Sequence, residues 1–194
     1  MKLTTYLCGS IQDCKDGGVY WRDKITPKLH ALGVCVLDPC RSECNNTLGS
    51  TIMESREQIK KFKKSGNFEY FDEHMRKIIQ DDLRQVTESN FLVVYWSNDY
   101  KHGGTIHEIV QAWQLHIPIY MVCYDSKTDM NDWVLALVRQ NGHVFENFGQ
   151  LMEFIETRYK AESKVIMKER SEAEKKRLES EKAEEEGKKD ERKG

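Results

Sequence analysis

The stretch Phe91-Leu92-Val93-Val94-Tyr95-Trp96-Ser97-Asn98-Asp99-Tyr100-Lys101-His102-Gly103-Gly104-Thr105-Ile106-His107-Glu108 decides how the chain is read. Phe91 to Trp96 is an uncharged run of strand length, rich in β-branched and aromatic residues, as expected of a strand buried on both faces. After it come paired glycines and then a helical pattern from about Thr105 to His116. Working outward, similar strand-like runs occur at Leu3 to Cys8, Val34 to Leu37, Ile117 to Cys123 and, more weakly, His143 to Phe145. Between them lie helical patterns. Trp21, Ile25, Leu29 and Leu32 form one, in which Pro27 kinks the helix or starts its second half. Phe71, Met75, Ile79, Leu83 and Val86 form a second, and Phe148 to Tyr159 another. Strands alternating with helices predict an α/β fold with a five-stranded parallel sheet, helices on both faces and right-handed connections.

Charge divides the chain at residue 160. The whole sequence of 194 residues carries 30 Lys+Arg and 32 Asp+Glu, a formal net charge of −2. Ala161 to Gly194 holds 11 of each class and no aromatic residue, leaving 19 basic and 21 acidic residues over the first 160. That is an ordinary globular balance, so the reading is one domain over 1–160 and a charged Lys/Glu-rich tail over 161–194. Pairs such as Glu172/Lys176, Glu184/Lys188 and Glu185/Lys189 support a solvated helix there, with a disordered solubilising tail or an interaction arm as alternatives. The balance gives no basic signature of a nucleic-acid partner. Apolar runs are too short for a membrane span. No signal-peptide core follows Met1, so a cytoplasmic protein is expected. The six cysteines, Cys8, Cys14, Cys35, Cys40, Cys44 and Cys123, contain no CxxC pair and are read as reduced thiols; Cys40 and Cys44 would need further ligands to hold a metal.

Between Asp38 and Phe68 the pattern lapses into Asn, Ser, Gly, Cys and Lys. Loops after parallel strands border the ligand crevice, so the 38–68 insertion reads as a lid or specificity loop. A surface insertion with a short helix near Ile52 to Lys64 is the equally open alternative.

Paired glycines at a strand-to-helix junction bring backbone close to a ligand, and the helix N-terminus offers free N–H groups and a positive dipole end. Gly103, Gly104 and Thr105 therefore mark a small-molecule crevice. Glu108, placed in the first turn, would be held ionised by that dipole, as suits a nucleophile or electrostatic stabiliser. Thr105-x-x-Glu108 is equally a capping box. Asp82 lies three residues after Ile79 and four before Val86, on the apolar stripe of its helix, whereas Asp81 continues into a polar face with Gln85 and Glu88. A carboxylate on such a stripe needs a partner or a polar pocket. Two carboxylates from different crossovers at one crevice suit cleavage of a glycosidic bond, one trapping the oxocarbenium-like sugar while another group handles the leaving group's proton. At the end of the first strand, Gly9 and Ser10 form a further turn able to meet a sugar or phosphate. For Tyr6 before them, a packed aromatic is the alternative reading.

Three segments in order, Tyr6-Leu7-Cys8-Gly9-Ser10-Ile11, Asp82-Leu83-Arg84-Gln85-Val86 and Gly104-Thr105-Ile106-His107-Glu108-Ile109 with Ala112, resemble the nucleoside 2-deoxyribosyltransferase-like family over about residues 3 to 158. Gly18-Val19-Tyr20-Trp21-Arg22 and Leu37-Asp38-Pro39-Cys40 resemble the subset found among phages and bacteria. The resemblance implies a flavodoxin-like sheet and cleavage or exchange of the N-glycosidic bond of deoxyribonucleosides or their 5′-monophosphates, with no cofactor or metal. It implies that Glu108 is the nucleophile attacking the anomeric carbon, that Asp82 lines the site near base and sugar, and that Tyr6 orients the nucleophile. Gly9 and Ser10 match a turn that contacts phosphate in the monophosphate hydrolase branch, and Ile11, His102, Gly103, Gly104 and Thr105 are expected to bind substrate with them. It also implies a homodimer or higher homo-oligomer whose subunits complete each other's pockets. The transferases carry a second acidic residue six positions before the nucleophile, where this chain has His102. With Lys101, that histidine suits a phosphate or a different base; otherwise it is an exposed loop residue. A phosphoribohydrolase or NAD-cleaving enzyme, in which a Gly-Gly-Thr-x-x-Glu loop also occurs, and a catalytically silent nucleotide-binding module are the competing readings.

Overall fold

A computed structural model describes residues 3–12 and 14–191, without the side chains of residue 170 and of residues 182–191. Its centre is a parallel sheet of five strands, β1 (Thr4–Gly9), β2 (Cys35–Leu37), β3 (Phe91–Trp96), β4 (Ile119–Cys123) and β5 (Gly142–Phe145), in the order β2-β1-β3-β4-β5. Tyr6 pairs with Leu37 on one side and with Leu92 on the other, and Val94 pairs with Met121. Because side chains alternate across a strand, each apolar run supplies two cores. Leu7, Phe91, Val93, Tyr120 and Val122 meet α1 (Val19–Ala31) and α6 (Phe148–Arg158) on one face. Tyr6, Cys8, Leu92, Val94 and Met121 meet α3 (Phe68–Thr87), α4 (Gly103–Gln114) and α5 (Asp132–Asn141) on the other.

The helix after β1 covers the first face and the helix after its neighbour β3 covers the second. The chain thus diverges between the carboxyl ends of β1 and β3, which opens the crevice typical of doubly wound sheets.

Several expectations need adjusting. α5 carries no counterpart in the sequence reading: its buried positions are Val134 and Val138, but Trp133 beside them is 79% exposed, which blurs the stripe. α4 starts at Gly103 with His102 at its N-cap, two residues earlier than expected, so Glu108 lies in the second turn. On α3 the buried residues are Ile78, Gln85 and Val86, while Ile79 is exposed. The expected polar face is therefore partly covered: Asp81 accepts hydrogen bonds from Ser42 Oγ (2.6 Å) and Gln85 Nε2 (2.7 Å), fastening the insertion to α3.

The insertion contains α2 (Ile52–Lys64), capped by Thr51, whose side chain accepts from the Glu54 N–H. Ile52 and Ile59 on it are buried. Beyond residue 160 the chain continues as α7 (Lys160–Glu191). That segment buries more than its composition suggests, since Ile166 is 3% exposed within the α1/α6 core, against Gly33. Glu172 faces Lys168 at 3.9 Å, rather than Lys176; the side chains of Glu184/Lys188 and Glu185/Lys189 lie outside the described residues.

Candidate active site

A cavity of about 320 Å³ opens at the carboxyl ends of β1 and β3. It is lined by Gly9, Ser10 and Ile11 from the turn after β1, by Asp82 and Ile79 from α3, and by Gly103, Gly104, Thr105 and Glu108 from α4. Arg56 of α2, Gln12, Lys101 and the apolar Met75 and Ile78 of α3 complete it. Candidate residues from three separate segments are therefore gathered at one place.

Glu108 is held from below by β1. Its Oε1 accepts from the Tyr6 hydroxyl at 3.0 Å and its Oε2 from the Cys8 thiol at 2.8 Å. Residues 6 and 8 share a face of the strand, so both donors rise beneath the carboxylate side by side. These bonds use the carboxylate for side chains of the sheet, where a capping box would have turned it back to the helix backbone. Burial pushes the Glu108 carboxyl above its ordinary range, and the two donors and the Arg22 cation only partly offset this. The dipole of α4 does not hold it low, because Glu108 stands a turn further in than expected. Burial, reinforced by the Glu108 charge, likewise keeps the Tyr6 hydroxyl and the Cys8 thiol protonated, as donors must be.

Asp82 faces the same cavity from α3. Burial, followed by the Glu108 charge, raises its carboxyl to about 7, against the opposing pull of Asn45 and Arg56. Asn45 Nδ2 donates to Asp82 Oδ1 at 3.0 Å, and Arg56 Nη2 donates to Asn45 Oδ1 at 3.0 Å. A relay from α2 through the insertion to α3 thus positions the acid. The Nε of Arg56 is buried and finds no partner among the described residues. Asn45, Arg56 and Cys8 were not singled out in the sequence. Cys8 alone had a signal, being two residues after Tyr6; the other two sit in a polar insertion where nothing distinguishes one side chain from the next.

His102 does not line the cavity. It is 7% exposed, stacked on Trp96 with ring centroids 3.7 Å apart, and so is not an exposed loop residue. Nε2 lies 2.6 Å from the Ser97 carbonyl, which can only accept, so this nitrogen carries a proton; Nδ1 meets the Ser10 hydroxyl at 2.8 Å. The histidine pins the turn after β1 to the loop after β3. The N-terminus of α4 has no side-chain cap, and its first turn faces the cavity with Gly103, Gly104 and Thr105. A ligand's oxygen atoms fit such a helix end.

Among the described residues no disulfide joins any of the six cysteines, and Cys40 donates to the Gly17 carbonyl at 3.4 Å. Among the described residues no group of three or more His, Cys, Asp or Glu side chains is gathered to hold a metal ion, and no helix is long and apolar enough to cross a membrane.

No protein-family model and no curated protein matches the chain. Solved structures do. A 2-deoxyribosyltransferase from the psychrotolerant bacterium Bacillus psychrosaccharolyticus superposes with a TM-score of 0.53 at 15% identity, covering 77% of this chain and 90% of that one. A conserved protein from Enterococcus faecalis V583 superposes with a TM-score of 0.59, also at 15% identity, over 81% of this chain and 99% of its own. With its 2-1-3-4-5 parallel sheet and helices on both faces, the chain has the fold of a 2-deoxyribosyltransferase.

Proposed function

We propose that the protein cleaves or exchanges the N-glycosidic bond of a deoxyribonucleoside or its 5′-monophosphate, with Glu108 as nucleophile. The observation that carries this reading is the buried Glu108 carboxylate, oriented from below by Tyr6 and Cys8 and faced across one cavity by Asp82. A carboxylate oxygen of Glu108 attacks C1′ of the sugar as the C1′–N bond breaks and its electron pair passes to the base. Asp82, which retains a proton up to about pH 7, is suited to protonate the departing base. Water, or a second base, then displaces the glycosyl ester and frees Glu108. The fold shared with the Bacillus enzyme supports the assignment. Arg56 and Lys101 at the cavity, together with the uncapped end of α4, favour a substrate carrying a 5′-phosphate. Self-association into a dimer or higher oligomer belongs to the same proposal, and sedimentation at micromolar concentration tests it.

The deciding experiment is chromatography of free base released from deoxy- and ribonucleosides and their 5′-monophosphates, by wild type and by Glu108→Gln, with and without a second free base. Base release lost in the variant supports the glycosyl chemistry, and a new nucleoside formed with the second base makes it a transfer. Binding without release from every substrate overturns the reading in favour of a silent nucleotide-binding module.

A further inference from the structure

A second cavity, of about 740 Å³, lies on the opposite face of the sheet, between α1, α6 and the ends of β3 and β4. It is large enough for a nucleotide-sized ligand. Its walls are aromatic. Tyr95 packs on Trp21 (5.7 Å between centroids), Phe148 (6.0 Å) and Tyr124 (6.1 Å), yet Tyr124 remains 59% exposed and Tyr20, also in the lining, 69% exposed. Its charge is mainly positive, three lysines against the Asp16 carboxylate. Lys15, Lys24 and Lys28 line it, and among the described residues none of them is within ion-pair distance of a carboxylate; Lys24 Nζ instead lies 5.4 Å from the Tyr20 ring centroid. The acidic residue in the lining, Asp16, is occupied by the start of α1, accepting from the N–H groups of Gly18 (3.1 Å) and Tyr20 (2.7 Å).

Exposed aromatic faces bind a planar ring by stacking, and unpaired lysines beside them bind anionic oxygens. Uncompensated cations beside open aromatic faces are what a planar, multiply anionic small molecule complements. We infer that this cavity is a second binding site, separate from the Glu108 cavity, for a nucleoside 5′-diphosphate or a ligand of that chemistry, its base between Tyr20 and Tyr124 and its phosphates on Lys24 and Lys28. The turn after β1 serves both cavities. Ser10, Ile11 and Gln12 line the first, and Cys14, Lys15, Asp16 and Gly18 line the second. A ligand in the second site therefore touches the segment that shapes the first.

The test is calorimetric titration of the full chain with ADP, GDP, CDP and UDP, each against wild type, Lys24→Ala/Lys28→Ala, Tyr124→Ala and, for the other cavity, Arg56→Ala. The expected result is saturable binding of at least one diphosphate, weakened tenfold or more by the lysine pair and by Tyr124→Ala and left within twofold by Arg56→Ala. Circular dichroism confirms that the surface variants keep the wild-type fold. Binding lost in Arg56→Ala but kept in the other variants assigns the nucleotide to the Glu108 cavity and overturns the proposal. So does the absence of binding by all four nucleotides, or binding of oligothymidylate alone. Because the readout is binding, failure of the glycosidase reading leaves this result standing.

Discussion

In the proposed reaction Glu108 and Asp82 act as a pair, and their shared burial gives each variant a distinct signature. Glu108→Gln keeps the shape and leaves Tyr6 and Cys8 beneath it but removes the proposed nucleophile; base release should fall by at least about 10³-fold with the thermal midpoint little changed. In Tyr6→Phe the carboxylate keeps Cys8 but loses one orienting donor, and kcat should drop by about tenfold with KM nearly constant. The rate should follow a bell in pH: Glu108 must lose its proton on the acid side, and Asp82 must keep its own up to about 7. In Asp82→Asn the alkaline limb should disappear along with most of the rate. The pair also shapes stability. Between about pH 4 and 7 the unfolded chain has released the Asp82 proton while the folded chain retains it, so stability falls as pH rises through that window, by on the order of 2–4 kcal/mol. Denaturant titrations at pH 4.5 and 7.5 should show this difference, and Asp82→Asn should reduce it. Both carboxylates were legible in the sequence because each stands out from its surroundings, one after paired glycines and one among apolar residues. Their protonation was not. It depends on burial and on a separation between helices that no spacing along the chain records.

At the scale of elements, β3 and β4 were legible as uninterrupted apolar runs because both of their faces are covered. α5 was not, since a short helix with an exposed tryptophan beside its buried valines has no clean period. The turn after β1 depends on Gly18, whose φ of 72° lies in the left-handed region and where a Cβ would stand 2.5 Å from both Arg22 Nη1 and the Ser10 carbonyl. Arg22 is itself fully buried, donating to the carbonyls of Leu7, Gly9 and Gly18 and lying 3.5 Å from Asp38. Gly18→Ala should therefore cost about 2–4 kcal/mol in chemical denaturation and lower activity by displacing the turn, whereas Gly66→Ala, with φ of 73° but open space around it, should cost only about 1 kcal/mol.

For the whole molecule, the composition step at residue 160 marks a change in solvation, whereas the packing boundary lies further on. Tyr159 stacks on Phe91 at 4.9 Å and Ile166 closes the α1/α6 core. A chain ending at residue 160 should lose about 1–3 kcal/mol relative to full length, as should Ile166→Ala, while one ending at residue 180 should match full length in its denaturation midpoint. The thiol beneath Glu108 has a further consequence. Cys8 is inaccessible in β1, and its proton is held firmly by burial, so a maleimide or disulfide reagent reaches it only when the sheet opens. Cys35 and Cys44, both partly exposed, react without such an opening. Cys14, Cys40 and Cys123 are buried as well, so with these three replaced by serine the slow phase of thiol labelling measures how often the floor of the cavity comes apart, and ligands that occupy the cavity above it should retard that phase in proportion to their affinity.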